Sequence, residues 1–417
     1  MLVRTILHRV HPIKGFVYEN ALWREKSGPL TLEVQLRPRR GGRAVCPGCG
    51  KKRPGYDTLA RRRFEFVPFW GILVFLLYAP RRVDCPRCGV KVEEMPWAQG
   101  KSPVTKTYGW FLARWAKRLS WAETAEVFHT SWHTVWRSVK SAVEWGLAHR
   151  DLSGIQAIGI DEVQWKKGHH YLTLVYQIDA ARRRLLWIGR DRTVRTLLRF
   201  FRQFGCERSA ALRFVCSDMW KPYLKVIARK AGQALHVLDR FHIAMHMNKA
   251  IDEVRAEEAR ELKERGEAPS LKKSRWCLLK RPENLSVFQR GRLRDLLRLN
   301  LKTVRSYLLK EEFQFFWDYV SAYWAGRFLD GWVGRVMRSR LEPMKQVARM
   351  LRGHRPLLLN WFRARKAISN GVVEGLNLKA KLTMRKAYGF SEYSFVELAL
   401  YHTMADLPEP ETAHKFF

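Results

Sequence analysis

Three aspartates in this 417-residue chain each follow a short apolar run. Asp161 closes Ile155–Ile160, Asp218 follows Leu212–Cys216 after Ser217, and Asp239 closes Ala234–Leu238. A carboxylate at the end of a buried strand is costly unless it is paired or metal-bound. Two magnesium or manganese ions about 3.5–4 Å apart can bridge such acids and clamp the attacking and leaving oxygens of a phosphodiester. Beside Asp161 and Asp218, a third carboxylate is expected on a helix, and Glu374 in the segment Ser369–Asn377 is the candidate, with Ser369 or Asn370 as its cap. The carboxylates of Asp161, Asp218 and Glu374 are expected to converge within roughly 4–8 Å. Asn377, Lys381 and Arg385 fall near the face of Glu374, where they are expected to hold DNA phosphate.

A second constellation is built from sulfur. Cys46-Pro-Gly-Cys49-Gly50 and Cys85-Pro-Arg-Cys88-Gly89 repeat one pattern. Two cysteines three apart can bind one metal from a tight turn, and the glycine after them accepts the positive φ that aims N–H groups at the thiolates. Cys46, Cys49, Cys85 and Cys88 together complete a tetrahedral zinc site, closed and therefore structural. The remaining cysteines, Cys206, Cys216 and Cys277, are scattered, which fits a reducing compartment and not a disulfide framework.

The elements that must carry these residues follow from periodicity. Phe66–Ala79 is the longest apolar run, 14 residues broken by Pro68 and Gly71. A spanning helix needs about 20 residues, so the run is expected as buried strand in a small zinc-ribbon-like module. Thr105–Leu119 has helical spacing, and Ser120-Trp-Ala-Glu123 is a capping box that opens a second helix. After a turn at His129–Ser131, a third helix runs from Trp132 toward Ala148. Trp132, Val135, Trp136, Val139 and Val143 share its apolar face, and His133, Thr134, Arg137 and Ser141 its polar one. This is the layout of a helix-turn-helix whose last helix enters the DNA major groove.

Beyond residue 150 the order is three strands, helix, strand, helix, strand. That is an α/β core with a mixed sheet, of ribonuclease-H-like fold. From 243 to 368 the chain reads as an all-α insertion, with tryptophans 276, 317, 324, 332 and 361, most expected in its core. Residues 406–411 read as a poorly ordered tail.

Charge narrows the partner. The formal net charge is +38, of which residues 1–150 carry +16 and the rest +22. An excess spread along a folded, tryptophan-rich chain points to a polyanion, with nucleic acid first. A membrane surface or a ribosome is compatible with charge alone.

The blocks GIDEVQWKKGHHY (Gly159–Tyr171), SDMWKPY (Ser217–Tyr223), LDRFH (Leu238–His242) and SNGVVEGLNLKAKLTMRKAYGF (Ser369–Phe390) closely resemble the DDE transposases of bacterial insertion sequences of the ISL-three family. The resemblance spans nearly the whole chain. It implies a metal-binding triad of Asp161, Asp218 and Glu374, holding two Mg2+ or Mn2+ ions, and a supporting D-x-x-H signature at Asp239 and His242. It implies an enzyme that binds terminal inverted repeats, hydrolyses a strand at the element end, and joins the freed 3′-hydroxyl to target DNA. A homodimer or larger assembly on double-stranded DNA, without membrane attachment, and a cytoplasmic, nucleoid-associated location follow as expectations. The expected domains are 1–100 (zinc), 101–150 (helix-turn-helix), 151–242 (first catalytic part), 243–368 (insertion), 369–405 (catalytic C-terminal helix region) and 406–417 (tail). The alternatives are a catalytically silent DNA-binding regulator and a structure-specific nuclease of the same fold.

Overall fold

The computed structural model describes residues 3–24, 29–267, 269–365, 371–387 and 389–411. They form two compact units, Met1–Asp151 with Thr383–Phe417, and Leu152–Leu382. The segment 369–405, expected to act as one region, is divided between them.

In the first unit, Phe66–Ala79 is a hairpin and not one strand. Arg62–Phe69 and Ile72–Tyr78 turn at Trp70 and Gly71, whose φ values are 51° and 75°. Two positive φ values in a two-residue loop match the twist of the flanking strands. Pro68, which lacks an N–H, falls where the ladder slips between Phe66 and Phe69. The four-stranded sheet runs Phe16–Arg24, Thr31–Pro38, Ile72–Tyr78, Arg62–Phe69. Its inner face buries Leu32, Val34, Leu36, Phe64, Val74 and Leu76. Each such side chain contributes roughly 1.5–3 kcal/mol of burial.

Both cysteine pairs sit on hairpin turns. Cys46–Cys49 joins the strands Ala44–Val45 and Lys52–Arg53, and Cys85–Cys88 joins Arg81–Cys85 to Gly89–Val92.

Three helices follow, Lys106–Ala116, Trp121–Val127 and Trp132–His149. Both arms of the Ser120/Glu123 capping box form, and Ser131 caps the third helix. That helix buries Val135, Ser138, Val139, Ala142 and Val143. Trp132 and Trp136, expected on the same stripe, lie at its margin. Trp132 is 37% exposed, and the two rings stack at 6.4 Å with Phe395 edge-on to both. Phe395 belongs to helix Tyr393–Met404, which packs on Trp132–His149.

The expected loose tail over 406–411 is docked within this unit. Glu409 pairs with Arg114 at 2.7 Å and Lys117 at 3.1 Å. Leu407 lies so close to Gly146 that a Cβ there would meet its Cβ at 2.7 Å. Two cations and an apolar anchor outweigh the ordering entropy of a short acidic end.

The second unit is a mixed α/β structure. Its sheet has the spatial order Arg182–Arg190, His170–Asp179, Ala157–Lys166, Phe214–Ser217, Leu235–Leu238. The first three are antiparallel, and the last two run parallel to the central strand. Helices Val194–Phe204 and Lys221–Lys230 supply Leu197, Phe200, Phe201, Tyr223 and Val226 to the core on the sheet. From 243 to 365 no strand occurs among the described residues. Trp317, Trp332 and Trp361 are buried in that helical region, whereas Trp276 and Trp324 are more than half exposed. No described helix is long and apolar enough to cross a membrane.

Candidate functional site

Asp161 does not end its strand. The strand continues to Lys166 because it pairs with an equally long neighbour, Asp161 opposite Leu174 and Val163 opposite Leu172. Asp161 is therefore mid-strand. Asp218 and Asp239 do stand just past the ends of the two parallel strands. Asp239 caps helix Arg240–Glu264 by accepting from the Phe241 N–H at 2.8 Å. That helix carries His242 back over the sheet, with Nε2 at 3.6 Å from Asp161 Oδ1.

One ligand atom each from Asp161, Asp239 and His242 lies within 4.8 Å of the others. Burial pushes the Asp239 carboxyl up to about 6. Burial works to lower His242, but the carboxylates of Asp161, Asp239 and Asp218 outweigh it and hold the imidazole above its usual value. A cluster of hard oxygens and one imidazole, short of positive charge, fits a divalent cation.

Asp218 and Glu374, expected to converge with Asp161, are not among the ligand atoms of this group. Asp218 is buried; it accepts from the Trp220 N–H at 3.0 Å and from the Arg192 guanidinium. Glu374 is exposed in the first turn of helix Gly371–Lys386, and its charge reaches Asp239. The expected caps Ser369 and Asn370 lie outside the described residues.

Helix Gly371–Lys386 meets the central strand at Gly159, where a Cβ would come within 2.5 Å of Val373 Cγ2. Glycine at 159 thus permits the approach. One turn later, buried Asn377 donates to Asp161 Oδ2 and accepts from Tyr176 Oη at 2.9 Å. Asn377, expected to hold phosphate, instead fixes an acid. Lys381 and Arg385 are exposed on the same helix.

Two further residues were not singled out from the sequence. Glu162 points to the opposite side of the strand from Asp161, and its Oε1 lies 3.2 Å from Arg192 Nε. The distance is that of an ion pair, yet neither atom has an aligned hydrogen-bond partner. Burial, then the charge of Asp218, push Glu162 up to about 8 against the pull of Arg192. The adjacent acids Asp161-Glu162 were the available signal for Glu162; nothing local marked Arg192.

In the first unit, sulfurs of Cys46, Cys49, Cys85 and Cys88 all lie within 4.8 Å of one another. Cys49 and Cys85 are 3.7 Å apart. Four sulfurs at about 2.3 Å from one zinc would be about 3.8 Å apart, so the cage fits that ion. Gly50 and Gly89 have φ of 67° and 73°. The Lys51 N–H lowers Cys49. Burial opposes ionisation of Cys85, but backbone donors at Arg87 and Cys88 bring it down to about 6. On helix Trp132–His149, His133, Arg137 and Ser141 are exposed. Thr134 is half-buried, its N–H and hydroxyl engaged by Ser131 at 3.1 and 2.9 Å.

Residues 158–400 match a family profile described as transposase, of the ISL-three DDE type. The transposase for insertion sequence element IS1001 of Bordetella parapertussis is 29% identical over 403 residues, covering 95% of this chain and 98% of that protein. The transposase for insertion sequence element IS1557 of Mycobacterium tuberculosis is 28% identical over 394 residues, covering 88% of this chain and 87% of that one.

Proposed function

The chain belongs to the ISL-three family of DDE transposases, and from that premise we propose that it cuts and joins DNA at the ends of an insertion sequence through the acids of its second unit. The observation that carries this reading is the convergence of Asp161, Asp239 and His242 within 4.8 Å, in a chain of net charge +38. The sheet order, with one acid on the central strand and one just past each of the two parallel strands, supports a ribonuclease-H-like core.

Asp161, Asp218 and Glu374 would hold two Mg2+ or Mn2+ ions, with Asp239 and His242 beside them. When bound, such ions activate an attacking oxygen and offset charge on the leaving one. The chain's own groups set the geometry. Asn377 fixes Asp161 at one oxygen, which leaves the other toward His242. The Trp220 and Phe241 N–H groups hold Asp218 and Asp239. Burial works to lower the His242 imidazole, but the neighbouring carboxylates hold it above its usual pKa. Lys381, on the Glu374 helix, would neutralise phosphate, as would Arg385 further along that helix.

In this reading the four cysteines hold one structural Zn2+, and helix Trp132–His149 reads the terminal inverted repeats through His133, Arg137 and Ser141, with Thr134 engaged mainly by the Ser131 cap. The first unit would carry the DNA-reading part and the second the catalytic acids, and two copies would assemble because two element ends must meet. The test is Glu374→Gln. Repeat binding is retained and cleavage in magnesium is lost; cleavage at the wild-type rate would remove Glu374 from the site. A strand-joining assay separates the transposase from a nuclease, and cleavage itself separates it from a silent regulator.

A further inference from the structure

The acids of the second unit are not all open to a cation. Arg192 lies just past the strand Arg182–Arg190, after Asp191, a non-glycine residue at φ 68°. The Asp191 N–H donates to Tyr171 O at 2.9 Å, which fixes the loop against the neighbouring strand. From there the Arg192 guanidinium donates to Asp218 Oδ2 and sits 3.2 Å from Glu162 Oε1. Its carbon lies 4.6 Å from the centre of the Trp220 ring. The two carboxylates are about one-tenth exposed, whereas the Arg192 side chain is 35% exposed.

We propose that Arg192 is a built-in, displaceable cation that holds the Asp218–Glu162 half of the site closed until a divalent ion takes those carboxylates. This rests on the proposed function above and assigns a positioning residue to that site. An arginine cannot shed its charge in a protein, so it must move for a dication to bind there. The contacts suit release. The bond to Asp218 is aligned, whereas Glu162 is held by charge at ion-pair distance without an aligned hydrogen bond. The exposed side of the guanidinium faces solvent, and Trp220 offers its ring as a platform once the carboxylates are taken. Without Arg192 two buried acids would face each other unpaired, a strong pull on any cation. The arrangement therefore trades metal affinity for a site whose acids are already aimed.

The test measures Mn2+ binding to zinc-loaded full-length protein by electron paramagnetic resonance, without DNA or activity. Arg192→Gln keeps a hydrogen-bond donor for Asp218 but removes the charge. It is expected to tighten Mn2+ binding by about tenfold or more, the scale of losing one cation beside two acids. Arg192→Lys keeps the charge and restores wild-type affinity. Unchanged or weaker binding in Arg192→Gln, or equal tightening in Arg192→Lys, overturns the proposal. A second arm needs no charge-removing variant. In the wild type the Arg192 Nε resonance, assigned by its loss in Arg192→Lys, shifts when Mg2+ is added. A resonance that stays fixed while Mn2+ binds the protein overturns it equally. If the wild type binds no Mn2+ that Asp161→Asn abolishes, the functional reading itself fails, which is a different result.

Discussion

His236 sets a pH limit on the second unit. It lies on the edge strand Leu235–Leu238, with Nε2 2.8 Å from Ser217 Oγ, the residue before Asp218. Its carbonyl accepts from buried Asn360 at 2.8 Å. Burial, with a smaller push from His354, lowers His236 to about 4 from the ordinary 6.5. The folded state thus prefers the neutral ring. The stabilisation is fully present above pH 6.5 and is lost as pH falls toward 4. Between about pH 7 and about pH 4.5 the linkage is worth about 2 kcal/mol. Asp239, raised by burial to about 6, acts in the opposite sense over part of this window. Wild type alone is therefore ambiguous, and His236→Gln is the needed reference. Hydrogen exchange of the amides in Phe214–Ser217 and Leu235–Leu238 reports this sheet and not the zinc unit. Wild type should lose about 2 kcal/mol more protection than His236→Gln on acidification. Parallel losses in the two proteins would refute a buried neutral imidazole at this position.

Cys85→Ser is expected to reduce bound zinc from one per chain to none by metal analysis, and to abolish terminal-repeat binding while leaving the sheet of the second unit protected from exchange. Glu409→Gln removes a half-buried partner of Arg114 and Lys117 and should cost about 1 kcal/mol in urea unfolding of the first unit. Arg137→Ala should weaken repeat binding and lower the salt dependence of log K by about 1 if the side chain meets phosphate, or by less with relaxed sequence preference if it meets a base.

Local signals carried far into this fold. The paired cysteines, the Ser120/Glu123 box and the apolar runs before Asp218 and Asp239 needed only near neighbours to be legible. What escaped depended on distant partners. The apolar run ends at Asp161, but the pairing partner that extends its strand to Lys166 lies past a turn. Helix spacing alone points Asn377 toward phosphate, yet Gly159, more than two hundred residues earlier, lets its helix close onto Asp161. Arg192 was one arginine among many, and only the folded sheet sets it between Glu162 and Asp218. The Glu409 contacts turned an apparently loose end into a docked one.

The sharing of one unit by both parts of the chain has a consequence for synthesis. The ribosome makes residues 1–151 first and adds 383–417 to them only after the whole second unit has been translated, roughly tens of seconds later. In that interval Trp132 and Trp136 lack Phe395, and Gly146 lacks Leu407. A nascent or prematurely terminated chain therefore holds the proposed DNA-reading helix without its final support. Completion of translation is therefore the step at which this unit gains its last packing partners.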